Sequence, residues 1–274
     1  MTRPTLRYHG GKFRIASWVV SHFPPHLAYV EPFGGAASVL LAKPRSRIEV
    51  YNDLDDQIVG LFRVLRDPWM SGRLADALRL TPFARSEFYA AWEHSDDPVE
   101  NARRLIVRSF QGVGANAVQN RTKSGWRLRT AAADRNAYAS DFASWIDALP
   151  EFTERLRYVQ IECRPWRRAL DPHRFADTLV YADPPYPSAT RRKDHRSVYR
   201  NELTDDDHAE LLEYLREWPG MVVVSSYPNA LYDAALGGWT VRDKQTRAQT
   251  NGVRTERLYI NPAAVAAHQG VMAL

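Results

Sequence analysis

Asp183-Pro184-Pro185-Tyr186 follows directly on the apolar run Thr178-Leu179-Val180-Tyr181-Ala182, so a carboxylate, two prolines and an aromatic ring emerge together where a buried strand ends. Ligands of open α/β sheets bind outside the carboxyl ends of the strands, and two residues without an N–H leave backbone carbonyls uncommitted there. A carboxylate and free carbonyls accept both hydrogens of an exocyclic NH2, and a tyrosine face suits the planar ring that carries it. The chemistry indicated is that of a planar amine. The same four residues also describe a proline turn after a core strand, so their meaning depends on the rest of the chain.

Four other segments bear on such a site. Val30-Glu31-Pro32-Phe33-Gly34-Gly35-Ala36-Ala37 leaves a strand and enters a helix through small residues, which lets a ligand approach the backbone and the helix N-terminus. Its glycines lack the G-x-G-x-x-G spacing of a dinucleotide fold, which argues against an oxidoreductase. Asn52-Asp53 falls about twenty residues further on, where an acidic side chain takes both hydroxyls of an adenosine ribose; Asp53 is equally suited to capping the next helix. Tyr8-His9-Gly10-Gly11-Lys12 brings two glycines and an ammonium ahead of a helical stretch from Phe13 to His22, and Ser225-Ser226-Tyr227-Pro228-Asn229 follows another strand at its carboxyl end. Together the glycine loop and Asp53 favour a nucleoside cofactor.

The elements that must hold these segments alternate at both ends of the chain. Short strands are expected at 27–30, 48–51, 158–161, 179–182 and 221–225, with helices at 36–42, 54–66 and 205–218 and a terminal hairpin from 239–243 and 257–260 around Asn251-Gly252. Thr204 is the expected N-cap of the 205–218 helix, with Asp205, Asp206 and Asp207 in its first turn, so that acidic run is read as capping and not as a metal site. Between Pro68 and Arg155 only helical patterns appear, at 85–92 and 99–110. The fold expected is α/β, a doubly wound, mostly parallel, seven-stranded sheet of Rossmann-like type, with 1–67 and 156–274 as one domain and 68–155 as a mainly helical insertion.

Composition bounds the function. The chain has 274 residues, 45% of them hydrophobic, enough for a full core, and its apolar stretches are strand-sized, well short of the ~20 residues of a membrane span. Met1 to Arg7 carry no apolar segment of signal-peptide type, so a cytoplasmic location is expected. The single cysteine, Cys163, excludes an intrachain disulfide and a cysteine metal cluster, the histidines form no His-Glu-x-x-His motif, and no metal is expected. The net charge of +5 favours phosphate-bearing partners, and the basic residues cluster. Arg103, Arg104, Arg108, Arg121, Lys123, Arg127, Arg129 and Arg135 lie in the insertion, and Arg191-Arg192-Lys193, His195, Arg196 and Arg200 follow the tetrapeptide. Such clusters also serve as solvated faces, but two of them around one site favour nucleic acid.

In order, Arg7-Tyr8-His9-Gly10-Gly11-Lys12, Glu31-Pro32-Phe33-Gly34-Gly35, Asn52-Asp53 and Asp183-Pro184-Pro185-Tyr186 resemble the Dam-type (D12 class) DNA adenine N6-methyltransferases. The likeness extends over nearly the whole chain, through Ile161-Glu162-Cys163-Arg164-Pro165, Tyr199-Arg200-Asn201-Glu202-Leu203-Thr204 and Thr255-Glu256-Arg257-Leu258-Tyr259-Ile260-Asn261-Pro262, and these later segments are most similar to solitary, often phage-borne members. The resemblance implies S-adenosylmethionine as cofactor, held by Tyr8, Lys12, Glu31, Gly35, Asp53 and Asp183 with the Phe33 loop under its methionine moiety. It implies double-stranded DNA as partner and the 68–155 insertion as the target-recognition part. Asp183 and the Pro184 carbonyl would hold the adenine amine and Tyr186 would stack on the purine. Asn116, Arg121, Lys123 and Arg127 in the insertion, and Arg191, Arg192, Arg196 and Tyr199 beyond the tetrapeptide, are the DNA-contact candidates. Two departures stand out: Ala37 replaces a glycine common in the family, and Pro165 stands near a common acidic residue, leaving Glu162 to contact the cofactor adenine. An idle DNA-binding protein of this fold and an RNA-directed amine methyltransferase are the alternatives.

Overall fold

The computed structural model describes residues 3–8, 10–114, 118, 124–128, 138–187, 200–247 and 253–272, without the side chains of 247, 271 and 272. Its first half runs α1 (Ala16–Val20), β1 (Ala28–Glu31), α2 (Ser38–Ala42), β2 (Ile48–Asn52), α3 (Asp56–Arg66), α4 (Pro68–Arg79), α5 (Arg85–Ala90) and α6 (Pro98–Gln111). There follow α7 (Tyr138–Ile146), α8 (Leu149–Leu156), β3 (Gln160–Glu162), α9 (Trp166–Leu170), a short 3-10 turn at Asp171–His173 and β4 (Thr178–Ala182). The chain closes with α10 (Asp205–Arg216), β5 (Met221–Ser226), α11 (Ala230–Ala235), β6 (Thr240–Arg247), β7 (Val253–Ile260) and α12 (Pro262–Met272).

The strands form one sheet in the order β3-β2-β1-β4-β5-β7-β6. β1 to β5 are mutually parallel where they pair, and β7 inserts antiparallel between β5 and β6. The expected mixed seven-stranded α/β sheet is therefore present, with a longer terminal hairpin than the apolar pattern marked. β1, β4 and β5 are buried along their whole length, as strands covered by helices on both faces must be, which is why they read as apolar runs and not as alternating ones.

The period of two sends alternate residues to two cores. Tyr29, Tyr51, Leu179, Tyr181, Val223 and Leu258 face the larger one with α1 to α4 and α6 to α8. Val30, Val50, Val180, Ala182, Val222 and Val224 face the smaller, where Leu211, Leu212 and Leu215 of α10 and Tyr232 of α11 cover them. Leu105, Ile106, Phe110, Trp145, Leu149 and Phe152 of α6, α7 and α8 share the larger core with Ile58, Phe62 and Leu65 of α3, so these helices are packed onto the sheet layer.

Helix starts follow the local chemistry. The Asp67 and Asp97 carboxylates accept from Met70 N and Val99 N, each ahead of a proline in the first turn, where the missing N–H has no partner to lose. Thr204 and Asp207 close a reciprocal capping box on α10, which accounts for the acidic run there. Among the described residues, no helix is long and apolar enough to cross a membrane.

Candidate active site

β1, β2 and β4 end side by side, and each delivers one carboxylate to the same edge of the sheet: Glu31, Asp53 and Asp183. Asn52, buried at the end of β2, fixes the spacing of these ends. Its side chain donates to Pro32 O at 2.9 Å and Arg164 O at 3.0 Å and accepts from Arg164 N at 3.0 Å, while its own carbonyl accepts from Gly34 N at 2.8 Å. The N-terminal segment is laid across this edge by α6 and α7: Trp145 Nε1 donates to Pro4 O at 2.9 Å, Arg7 N donates to Ser109 Oγ at 2.8 Å, and Arg3 and Arg7 both pair with Asp141. Thr5 Oγ1 then reaches the glycine loop at Ala36 O, 2.6 Å away.

One cavity opens above these strand ends. Tyr8, Lys12, Glu31, Phe33, Gly35, Asp53, Asp183 and Pro184 all line it, so the cofactor-site residues expected from sequence meet in one place although they come from four separate segments. Leu54 and Trp166 add apolar surface, and Arg200 closes one side by donating to Asp55 Oδ1 at 3.0 Å and Asp56 Oδ1 at 2.8 Å. Trp166 and Leu54 were not singled out from the sequence. Glu162, the acidic candidate for the adenine contact, pairs instead with Arg164 at 2.9 Å and is not among the lining residues.

The loop between β1 and α2 is shaped by close approach. A Cβ on Gly34 would lie 2.1 Å from Tyr51 Cε2, and one on Gly35, where φ is +47°, would lie 2.8 Å from Tyr8 Cε1. Tyr51 holds the loop from beneath by donating to Gly35 O at 2.7 Å. Ala37 also adopts left-handed backbone, φ 53°, which for a side chain with Cβ costs roughly 1–2 kcal/mol. Its methyl group is fully buried in the core, so the departure from glycine strains the turn without entering the cavity.

The three carboxylates differ in state. Asp53 accepts from Gly35 N and Asp55 N, both at 2.8 Å, and burial pushes it up to about 6 against those bonds. Glu31 accepts from Tyr29 Oη at 2.7 Å and from Leu40 N of α2 at 3.0 Å, so it caps that helix from the strand end, and burial pushes it up to about 8. Its native proton is held to about pH 8 whereas an unfolded chain releases it near 4.5, so this group draws stability down as pH rises through that window. Glu31→Gln is expected to melt close to wild type at pH 5 and progressively above it up to pH 8, a difference that paired thermal melts across pH will read.

Asp183, at the end of β4, accepts the Lys12 ammonium on Oδ2 at 2.8 Å. Its Oδ1 is buried and has no hydrogen-bond partner. Burial pushes this carboxyl up to about 6, Lys12 pulls it down and Glu256 pushes it up. Tyr186 is not among the lining residues: its ring is 5% exposed, lies edge-on to Tyr227 with centroids 4.5 Å apart, and has Lys12 Nζ 4.8 Å from its centroid. Its hydroxyl donates to Glu256. The Ser225–Asn229 segment, expected to wall the cavity, stands behind it through Ser225 and Tyr227.

Of the DNA-contact residues expected from sequence, Asn116, Arg121, Lys123, Arg191, Arg192, Arg196 and Tyr199 lie outside the described residues. Arg127 stacks its guanidinium over Tyr138, 4.6 Å from the ring centroid, away from the cavity. Three arginines of the first cluster have internal partners: Arg103 bonds Glu100 and Glu87, Arg104 bonds Glu100, and Arg108 bonds Gln57 and lies over Trp92. Among the described residues, no group of three or more His, Cys, Asp or Glu is arranged to hold a metal ion.

Comparison with known proteins bears directly on this arrangement. The model of the D12 class N6 adenine-specific DNA methyltransferases matches residues 8–245, a span that contains every described residue of the cavity. The chain belongs to this family. A type II methyltransferase of Methanocaldococcus jannaschii is 23% identical over 235 residues, covering 78% of this chain and 80% of that protein. A DNA adenine methylase of Vibrio cholerae is 24% identical over 216 residues, covering 77% of this chain and 75% of its own. The D12 methyltransferase is thus an adenine-specific DNA-modifying enzyme with a Rossmann-like sheet, and its substrate is DNA.

Proposed function

We propose that this enzyme transfers a methyl group from S-adenosylmethionine to N6 of an adenine turned out of duplex DNA. The observation that carries the reading is Asp183 Oδ1, a buried carboxylate oxygen without a hydrogen-bond partner, on a residue that lines the cavity. An acceptor in that state is unfavourable until a donor arrives, and an exocyclic amine brings two.

The cavity residues fit the cofactor. The glycines at 34 and 35 leave room that any Cβ would fill, Leu54, Phe33 and Trp166 suit a purine, and Asp53 keeps acceptor capacity beyond its two backbone bonds for ribose hydroxyls. When bound, S-adenosylmethionine supplies a methyl group on a positively charged sulfur.

The protein's task is to make a weak nucleophile react. The N6 lone pair is delocalised into the purine, and acceptors placed on its hydrogens favour a pyramidal nitrogen with the pair localised. Asp183 Oδ1 and the Pro184 carbonyl supply those acceptors, and Asp183 takes up the proton released as the amine becomes secondary. Positioning and preorganised electrostatics provide the acceleration, with no covalent enzyme intermediate. Extracting the base from the duplex costs a few kcal/mol, which contacts from the 68–155 segment and the basic 191–200 stretch offset. In this reading 68–155 is the target-recognition part, and 1–67 with 156–274 is the catalytic part.

The family resemblance assigns Tyr186 to the purine face, which its ring, buried against Tyr227 and outside the cavity lining, meets only once uncovered. Tyr186→Phe, which keeps the ring and loses the hydroxyl that donates to Glu256 and also bears on Asp183, is expected to stay within a few-fold of wild type in kcat/KM for DNA. Tyr186→Ala should lose roughly 10- to 100-fold, the effect of ~1–3 kcal/mol of base stacking. Equal losses in both would assign the tyrosine to anchoring and not to the base.

The reading as a whole is tested with duplex DNA and methyl-labelled S-adenosylmethionine, followed by single-molecule sequencing of the product. N6-methyladenine in one sequence context is expected. Label found in cytosine, in RNA alone or nowhere would overturn it.

A further inference from the structure

Along β7, Ile260, Leu258 and Glu256 point alternately to the same face of the sheet, two core residues followed by a carboxylate that is 5% exposed. A buried carboxylate is unfavourable unless charges and donors surround it. Glu256 Oε1 is surrounded: Lys12 Nζ lies 3.2 Å away, Ser225 Oγ donates at 3.0 Å, and the Tyr186 hydroxyl donates to it as well. Lys12, itself 7% exposed, is thereby shared between Glu256 and Asp183. It also donates to Gly10 O at 3.1 Å within its own segment, and its two ion pairs tie that segment to the end of β4 and to β7.

The sharing has an electrostatic consequence. An ammonium committed to Asp183 alone makes a neutral pair and weakens the carboxylate as an acceptor for anything else. An ammonium divided between two carboxylates leaves the group one negative charge in excess, in a buried setting where charge is felt more strongly than in water. We propose that Glu256 is a positioning residue for methyl transfer: by sharing Lys12 with Asp183 it fixes that carboxylate without cancelling its charge, so that Oδ1 remains a charged acceptor for the target amine. The inference rests on the reading of Asp183 given above.

The groups that act on Asp183 come from several neighbouring elements: Lys12 from the N-terminal segment, Glu31 from β1, Tyr181 from β4, Tyr186 from the tetrapeptide, Tyr232 from α11 and Glu256 from β7. Glu256 acts to raise it and Lys12 to lower it. Removing the Glu256 charge therefore moves the Asp183 titration to lower pH and weakens Asp183 as acceptor and base.

Glu256→Gln in the full chain is the test, since the amide carbonyl still accepts from Tyr186 and Ser225 while the charge is gone. In the free protein, carboxyl-detected NMR is expected to show Asp183 titrating at lower pH than in wild type. With DNA and S-adenosylmethionine, kcat is expected to fall roughly tenfold, the difference between a charge-assisted and an ordinary hydrogen bond, with the acid limb of the pH profile moving the same way. A kcat within twofold of wild type, or a loss of kcat with the Asp183 titration unmoved, overturns the inference. Should Glu256→Gln not fold, Glu256→Asp carries the test: retaining the charge, it should keep the Asp183 titration near wild type and kcat within about tenfold. A shifted titration or a deeper loss in that variant overturns the inference. Asp183→Asn is run alongside: turnover in it overturns the underlying reading of Asp183, whereas an inactive Asp183→Asn beside a wild-type Glu256→Gln overturns the inference alone.

Discussion

Asp183→Asn is expected to lower methyl transfer by roughly 10²- to 10⁴-fold while leaving the fold and DNA binding in place. The reason is geometric as well as electrostatic. Lys12 sits 2.8 Å from Oδ2, so an asparagine there turns its carbonyl toward the ammonium and its NH2 toward the position now held by Oδ1. The cavity would then present donors to an amine that itself brings donors, and neither side is satisfied. Stability should not suffer. Burial raises the Asp183 carboxyl from 3.8 to about 6, so the folded protein binds its proton more tightly than the unfolded chain, and the contribution of this group to stability falls as pH rises through 6. At pH 7.5 the asparagine variant is therefore expected to melt no lower than wild type. Methyl incorporation, melting temperature and DNA gel shift measured together check the prediction, and near-normal turnover would remove Asp183 from the chemistry.

What was legible in the sequence was local. The strands of the sheet showed as apolar runs because β1, β4 and β5 are buried on both faces, and the acidic start of α10 showed as a cap because Thr204 and Asp207 are three residues apart. The cavity residues were found from four short segments, each beside a strand end or a glycine turn, and family resemblance joined them. The helices α4, α7 and α8 were not marked individually, since their apolar positions are spaced to pack on one another and on α3 within a long stretch lacking strands to punctuate it. The basic cluster misled in part. Arg103 and Arg104 stand three and four residues beyond Glu100, a spacing that already predicts intrahelical pairing in place of exposure to phosphate.

What stayed illegible was long-range. Lys12, Asp183 and Glu256 belong to the N-terminal segment, the middle of the sheet and its terminal hairpin, and only the crossover that inserts β7 beside β5 brings them together. No spacing rule connects them, and a single glutamate in a strand pattern reads as a solvent-facing residue. Trp166 was hidden for a similar reason. It follows the edge strand β3, whose own burial is slight, so nothing nearby announces that the next turn leads over the cavity.

The glycine loop gives the second large effect. Gly34→Ala is expected to abolish high-affinity binding of S-adenosylmethionine and to destabilise the protein by about 1–3 kcal/mol, the usual consequence of forcing a methyl group into filled space. The clash is with a ring that cannot yield. Tyr51 packs on Phe62 with centroids 4.7 Å apart, is fully buried, and donates its hydroxyl to Gly35 O, so moving the ring away from a new Cβ also withdraws the support of the loop. The loop cannot rise instead without breaking the bond from Gly34 N to Asn52 O or the one from Gly35 N to Asp53. Ala37→Gly, two residues beyond Gly35 in the same turn, is the informative contrast. It relieves left-handed backbone strain while adding freedom to the unfolded chain and removing a buried methyl group, and the two losses together are of similar size to the gain, so its melting temperature should lie close to wild type. Calorimetric titration of the cofactor beside thermal melts of both variants separates close packing under Gly34 from the general rigidity of the turn: if the two variants lose affinity equally, the Tyr51 contact is not what shapes the loop.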